Sequence, residues 1–464
     1  ISYFSLIVFT SLLFIFLPLF TMTFLKKTSL LLALAALGYG GYYGYTYASI
    51  GAGYAAKAAC SCVYVSGRSL DSVVAEDLYV VKGIGTTTLD RAGRSATTRV
   101  LGIASKTAVY REGLGCTLLN GITADELRSQ PTFSKITVAP SPLPTAPPDS
   151  AGVDAAALRK TLDWAFAEPD SSRIVRTRAV VVLHRGRIVA ERYATGITAS
   201  TPLTGWSMTK SVTNALVGLL VKDGKLSVEK PAPLTEWQGD ERRQITLDHL
   251  LRMSSGLKFE ENYGGVSDAT RMLFLEKGAG AYALKSPLAY PPGTAWYYSS
   301  GTTNVLQELI RRQFKSHAEY LAFPHKRLFS KLGMSSAVLE PDASGTYVGS
   351  SFLFATARDW AKFGQLFAQD GVWNGERLLP EGWAAYSARE TPHSEGRYAA
   401  QFWVYPRQWG LPADTFMANG FEGQFVLVVP SKQLVVVRLG CTPDERNFNE
   451  KRFLQEINAT VASR

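Results

Sequence analysis

The chain has 464 residues, enough for two or three domains, and its 46% hydrophobic and 19% charged residues are those of a globular protein. The formal charge is +10, yet Lys and Arg are scattered, and no basic run interleaved with aromatics offers a grip on nucleic acid. Cys60, Cys62, Cys116 and Cys441 lack zinc-ligand spacing and the five histidines form no His-Glu-x-x-His, so no metal and no other cofactor is expected.

Residues 1–25 are uncharged and mostly apolar, Lys26 and Lys27 follow, and residues 28–56 are again uncharged. This pattern predicts an N-terminal membrane segment within residues 1–56. Met22 is the first methionine, which opens the reading that residues 1–21 lie upstream of the natural product and that residues 22–27 begin an export signal. The aromatic, glycine-rich run 38–45 suits a membrane interface. Cleaved signal and uncleaved anchor are both open, and either places the rest of the chain outside the cytoplasm, because Lys26 and Lys27 stay on the inner side. At least one disulfide is then expected among the four cysteines, with Cys116 the favoured partner of Cys60 or Cys62.

Residues 57–136 form a small region with short β-type runs at 63–65 and 78–81, to which no function is assigned. Pro140, Pro142, Pro144, Pro147 and Pro148 make residues 137–150 an extended linker and a domain boundary. In the remaining part, 151–464, an amphipathic helix is predicted over 154–168, and a β-hairpin over 179–193 turning at Arg185-Gly186. Residues 240–390 read as mainly helical. Strands return at 423–429 and 434–439, joined by Pro430-Ser431-Lys432-Gln433, before a closing helix from about Asn447. Strands at both ends around a helical insertion predict an α+β fold: one antiparallel sheet flanked by helices, with a helical lobe beside it. A site belongs between sheet and lobe.

The stretch Gly205-Trp206-Ser207-Met208-Thr209-Lys210 leads into apolar residues 212, 215, 216, 219 and 220, which recur at helical spacing. Ser207 therefore opens a helix buried on one face, where backbone N–H groups lack partners. Lys210, three residues on, lies within reach of Ser207 on the same face. An ammonium group drawn into an apolar helix end loses hydration and its pKa falls, so the lysine can take the serine proton. Ser-x-x-Lys also occurs at Ser227/Lys230 and Ser255/Lys258, but the first runs into Pro231 and the second into a Gly256 turn. A serine that only caps a helix is the plain alternative for Ser207.

Two further stretches bear on the same chemistry. Residues 291–300 form a turn feeding Tyr297-Tyr298, and a tyrosine near a lysine can carry a proton as phenolate between nucleophile and leaving group. Packing is its alternative. Gly420-Phe421-Glu422-Gly423-Gln424 precedes a strand, where glycine lets a ligand approach the backbone, unless it is a simple strand-entry turn.

Taken together, residues 151–464 resemble the serine hydrolases of the class C β-lactamase-related family, and in particular its 6-aminohexanoate-dimer hydrolase branch. Ser207-Met208-Thr209-Lys210 matches the nucleophile motif, Tyr298-Ser299-Ser300 the Tyr-x-Asn motif and residues 420–424 the strand motif. Residues 246–257 and 354–359 also resemble stretches typical of that family. Ser300 stands where asparagine is commoner, and the Lys-Thr-Gly of true β-lactamases is absent.

The resemblance implies a β-lactamase/transpeptidase-like fold without a cofactor, and acyl transfer through a serine ester. Ser207 would be the nucleophile, with Lys210 and Tyr298 as general acid–base pair. The N–H groups of Ser207 and Gln424 would form the oxyanion hole, and Ser300, Phe421, Glu422 and Gly423 would meet the substrate. That substrate is a small-molecule amide or ester. Neither Phe421 nor Glu422 pairs with a carboxylate, and an ionised Glu422 repels one, so a neutral or amine-bearing acyl group fits better than a penicillin. The rival readings are a β-lactamase or D-alanyl-D-alanine carboxypeptidase and, in another class, an inactive penicillin-binding-like sensor. A Ser-His-Asp triad is disfavoured because Ser207 is not in Gly-x-Ser-x-Gly.

Overall fold

The computed structural model describes residues 24–133, 141–170 and 172–461. The first part of the expected membrane segment, residues 1–23, and residues 134–140, which include the start of the proline-rich linker, lie outside the described residues.

The described chain starts with one long helix, α1 (Phe24–Tyr64), which runs through residue 56, where the membrane segment was expected to end. Glycines at 38, 40, 41 and 44 and the tyrosines among them dilute its leucines, and among the described residues no helix is long and apolar enough to cross a membrane. The inner half of α1 is instead part of the protein core: Ala48, Ala52, Ala55, Ala56 and Ala59 are buried. They pack on an antiparallel meander of β1 (Gly85–Asp90), β2 (Ser95–Val100), β3 (Ala104–Arg111) and β4 (Gly115–Leu118). The β-type residues Val63 and Tyr64 end α1, and 79–81 form a 3₁₀ turn. The strands use threonine-rich segments such as Thr86-Thr87-Thr88, whose branched side chains suit a half-exposed pleat. Cys60 of α1 is bonded to Cys116 of β4, while Cys62 and Cys441 are free and buried.

Buried charge joins this N-terminal unit to the rest of the chain. Glu340 bonds the Lys57 ammonium and accepts from Ser61 Oγ at 2.8 Å and from the Cys116 backbone N–H at 2.7 Å. Burial pushes the Glu340 carboxyl up and the Lys57 ammonium down in pKa, each against its own charge; their mutual attraction is the largest opposing effect, helped at Glu340 by the Cys116 N–H and the Ser61 hydroxyl. Removing one partner strands the other. Lys57→Met is expected to destabilise folding by about 3–5 kcal/mol, and adding Glu340→Leu to recover most of that loss. Urea unfolding of the single and double variants checks this; a single variant as stable as the parent would refute it. A second junction is made by Arg68 and Arg178, which both bond Asp77, at 2.6 and 2.8 Å.

The two ends of the remaining chain build one sheet, as the strand pattern predicts. Its antiparallel order is β7 (Phe416–Gly420), β8 (Gln424–Val429), β9 (Leu434–Gly440), β5 (Thr177–His184), β6 (Arg187–Tyr193). Interior strand β5 is buried throughout, hence its apolar run over 179–183. Alternation sorts it into two cores: Ala179, Val181 and Leu183 face one side, Val180 and Val182 the other. The second side is covered by α2 (Ala155–Ala165), capped by Asp154, and by the C-terminal helix (Glu450–Thr460). On the first side lie α3 (Met208–Lys222), α4 (Ser300–Arg311) and α5 (Ala357–Ala368), with the helical lobe beyond. Strand β7, the edge nearest the lobe, has no counterpart in the sequence reading. Pro144 and Ala146 of the linker lie along the opposite edge, bonded to the Ile188 backbone at 2.8 and 3.0 Å.

Helix α3 departs from the expected one-sided burial, because every residue from Met208 to Leu220 is buried. Its polar residues are accordingly paired: Ser211 Oγ donates to Gln401 O at 2.6 Å and Asn214 Nδ2 to Ala400 O at 2.9 Å.

Candidate active site

Ser207 caps α3 between the sheet edge and the lobe. The turn that delivers it is strained: Trp206 has φ 45°, a left-handed value that costs a non-glycine residue about 1 kcal/mol or more. The indole is held from several sides. It stacks on Tyr54 of α1 (centroids 6.2 Å apart, 3° between planes), meets Phe421 edge-on at 6.0 Å and donates Nε1–H to Glu422 at 3.1 Å. The Thr209 hydroxyl donates to the Trp206 carbonyl at 2.7 Å. Part of the stretch expected to be a membrane segment thus lies directly behind the candidate nucleophile.

Lys210 is 1% exposed, and its Nζ donates to Ser207 Oγ at 2.8 Å, Ser300 Oγ at 3.0 Å and the Ser350 carbonyl at 3.0 Å. Burial lowers its pKa to about 8, with the Glu261 carboxylate pulling the other way. The helical spacing and the desolvation expected of the pair are both present. Ser300 passes the lysine's contact onward: its Oγ donates to Glu261 Oε1 at 2.5 Å and its N–H to Glu261 Oε2 at 2.7 Å. The Tyr263 hydroxyl is 3.1 Å from the same Oγ.

Tyr298 differs from the expectation. The Lys210 ammonium lies over its ring, 4.8 Å from the centroid. Burial, with help from Glu261, raises the phenol's pKa, and the hydrogen-bonded Ser207 hydroxyl only partly offsets this. The phenol is therefore protonated at neutral pH, a proton donor rather than the expected phenolate. Its ring is fixed by Tyr398 and Trp403 at 5.6 and 5.1 Å.

The glycine stretch divides. Gly420 runs against the nucleophile turn so closely that a Cβ there would lie 2.2 Å from the Gly205 carbonyl and 3.1 Å from the Ser207 nitrogen. Phe421 is exposed beside Trp206. The next three residues turn away, because a tight 3₁₀ turn at Phe421–Gly423 carries the chain back into β8. Glu422 is buried under Trp206, on the side away from the cleft, where burial and nearby Asp77 push its carboxyl up to about 7. Gly423 makes room for Arg438, whose Nη1 would sit 2.3 Å from a Cβ there. Gln424 is buried and clasps Gly440 of β9, its amide donating to the carbonyl at 2.7 Å and accepting from the N–H at 2.9 Å. Gly420, rather than Gln424, is the residue of this stretch that meets Ser207.

Glu261, Tyr263 and Ser350 had no signal in the sequence reading. Glu261-Asn262-Tyr263-Gly264-Gly265 reads as a polar loop, and nothing in it points to Ser300, 39 residues on. Among the described residues no group of three or more His, Cys, Asp or Glu side chains is placed to hold a metal ion.

The β-lactamase family model matches residues 164–457, more than half of the chain and all of this site. The chain belongs to the β-lactamase family. Within the family it is 26% identical over 292 residues to a 6-aminohexanoate-dimer hydrolase of Paenarthrobacter ureafaciens, covering 58% of this chain and 73% of that protein. A structure of a candidate 6-aminohexanoate-dimer hydrolase from Bacillus anthracis superposes with a TM-score of 0.54 at 22% identity, over 71% of this chain and 87% of the other. EstCE1, a hydrolase with promiscuous acyltransferase activity, gives 0.54 at 16% identity over 68% and 99%. These two likenesses establish the fold. The protein is a β-lactamase-related serine hydrolase.

Proposed function

We propose that this β-lactamase-family protein hydrolyses a small amide or ester through an acyl-enzyme on Ser207. The observation that carries the reading is the buried Lys210 ammonium 2.8 Å from Ser207 Oγ at the start of α3. Neutral Lys210 takes the serine proton as Oγ bonds to the substrate carbonyl carbon. The Tyr298 phenol protonates the leaving amine or alcohol as its bond to the acyl carbon breaks, and Lys210 returns the proton to Tyr298. Water then attacks the ester by the same route, giving the acid and free Ser207.

The oxyanion receives the Ser207 N–H and, we infer, that of Phe421. Met417 in edge strand β7 exchanges both backbone hydrogen bonds with Trp403 on the outer side, at 2.8 Å each. With a period of two, the Phe421 N–H also points off that edge, next to Ser207. One such donor lowers the barrier by about 3–4 kcal/mol.

Around Ser207 the exposed rim is aromatic, with Tyr263, Tyr297 and Phe421, and Glu422 is turned away. This supports a neutral or amine-bearing linear acyl group, such as the amide of the 6-aminohexanoate dimer named for the Paenarthrobacter relative. The Cys60–Cys116 bond supports an oxidising compartment outside the cytoplasm. Turnover of nitrophenyl acetate, 6-aminohexanoate dimer and a penicillin tests the reading. The ester and the linear amide are expected to be cleaved and the penicillin poorly; efficient penicillin turnover would instead favour the β-lactamase or carboxypeptidase reading.

Glu261 offers a separate check on Lys210. The carboxylate raises the lysine's pKa, so Glu261→Gln is expected to lower it and to move the acidic limb of kcat/KM for nitrophenyl acetate to lower pH. An unmoved limb would remove Glu261 from control of the base.

A further inference from the structure

Only half of α1 packs on the protein. Every residue from 31 to 45 is exposed, including Leu31, Leu32, Leu34, Leu37, Tyr39, Tyr42, Tyr43 and Tyr45, and none of them is charged. At 100° per residue the four leucines point to all sides of the helix. A protein groove covers one face of a helix and leaves the others in water, whereas lipid surrounds it. Residues 28–37 rise about 15 Å against the roughly 30 Å hydrocarbon core and Lys26 and Lys27 precede them, which suits a helix slanted along one leaflet with those charges at the headgroups rather than upright entry to the midplane. Behind the leucines comes the tyrosine run 39–47, where headgroups would lie.

The same helix leads to the cleft. The Tyr43 hydroxyl lies 3.7 Å from the Cβ position of Gly265, in the loop of Tyr263, whose hydroxyl is 3.1 Å from Ser300 Oγ. Farther along α1, Tyr54 stacks on Trp206 beside Ser207. The tyrosine run and the aromatic rim of the cleft therefore stand side by side.

We propose that the projecting part of α1 seats the protein on a lipid bilayer with the cleft rim at headgroup level, so that the acyl group attacked by Ser207 comes from a membrane-held ester or amide. This rests on the acyl-hydrolase reading above. The Ser207 oxygen bonds to the lipid's acyl carbon, the acyl–oxygen or acyl–nitrogen bond breaks, the leaving alcohol or amine takes a proton from Tyr298, and water later releases the acid.

The test uses the full chain, with sucrose-loaded vesicles of phosphatidylcholine and phosphatidylglycerol carrying a long-chain fluorogenic ester, beside water-soluble nitrophenyl acetate. The parent is expected to sediment with the vesicles. Combined Leu31→Ser, Leu34→Ser and Leu37→Ser are expected to weaken sedimentation and vesicle-ester turnover at least about tenfold, with nitrophenyl acetate turnover unchanged. A parent that stays in the supernatant, or a triple variant equally active on the vesicle ester, would overturn the proposal. So would a dimer in light scattering that the triple variant converts to monomer, since a second copy would then cover the helix. Absence of nitrophenyl acetate turnover in the parent would count against the hydrolase reading, while sedimentation still decides the membrane seat.

Discussion

Ser207→Ala is expected to abolish covalent labelling by a fluorophosphonate probe and to reduce ester hydrolysis by roughly 10⁶-fold, the scale at which nucleophile loss is felt in serine hydrolases. The expectation rests on the lack of a substitute. Ser300 also receives a hydrogen bond from Lys210, but its hydroxyl is fully buried and already donates to Glu261 at 2.5 Å. Ser350 is engaged through its carbonyl, and its hydroxyl is buried against Asn304 and Ser351. Both are fully buried, whereas Ser207 is partly exposed at the start of α3. The variant should fold as the parent does, because the Ser207 side chain caps no backbone group. Mass spectrometry of the probe-treated variant checks this, and a labelled protein would end the Ser207 assignment.

Lys210→Met is expected to lower kcat for nitrophenyl acetate by roughly 10²–10⁴-fold, the range for loss of a general base. Methionine matches the length of the lysine stem and suits the apolar surroundings, so the cavity stays filled while the amine is lost. The sharper readout is pH. With a lysine titrating at about 8, the parent's rate should rise as pH passes upward through that value, since only the unprotonated amine can take the serine proton. In the methionine variant this rise should vanish. A parent profile flat from pH 6 to 9, or a variant that keeps the rise, would assign the proton to another group. Thermal melting separates loss of chemistry from loss of fold, because the Ser300 hydroxyl and Ser350 carbonyl lose a partner in the variant.

Ser207 and Lys210 were legible because their relation is local. Three residues along a helix put two side chains on one face whatever the rest of the chain does, and the apolar period after Met208 announced that helix. The same holds for the hairpin 179–193 and the strand pair ending in β9, where alternation and a turn sequence suffice. Cys116 was anticipated as the partner of Cys60 or Cys62, from the small region they share, and the fold selects Cys60.

The rest depends on contacts between segments far apart in sequence. Nothing local to residues 420–424 separates Gly420, which lies against the Ser207 turn, from Glu422, which turns inward to Trp206 across 216 positions; a single 3₁₀ turn decides it. Sequence likewise leaves Glu261 in an unremarkable loop, and only the folded lobe brings it to Ser300. The inner half of α1 shows the same in reverse. Its uncharged run has the composition of a membrane segment, yet alanines spaced along it meet the meander, and Lys57, just beyond, reaches Glu340 across 283 positions. An apolar residue records a preference for leaving water, not which dry surface receives it; sequence determined the Ser207–Lys210 proximity and the sheet, and tertiary packing decided which apolar segments became core and which charges surround the pair.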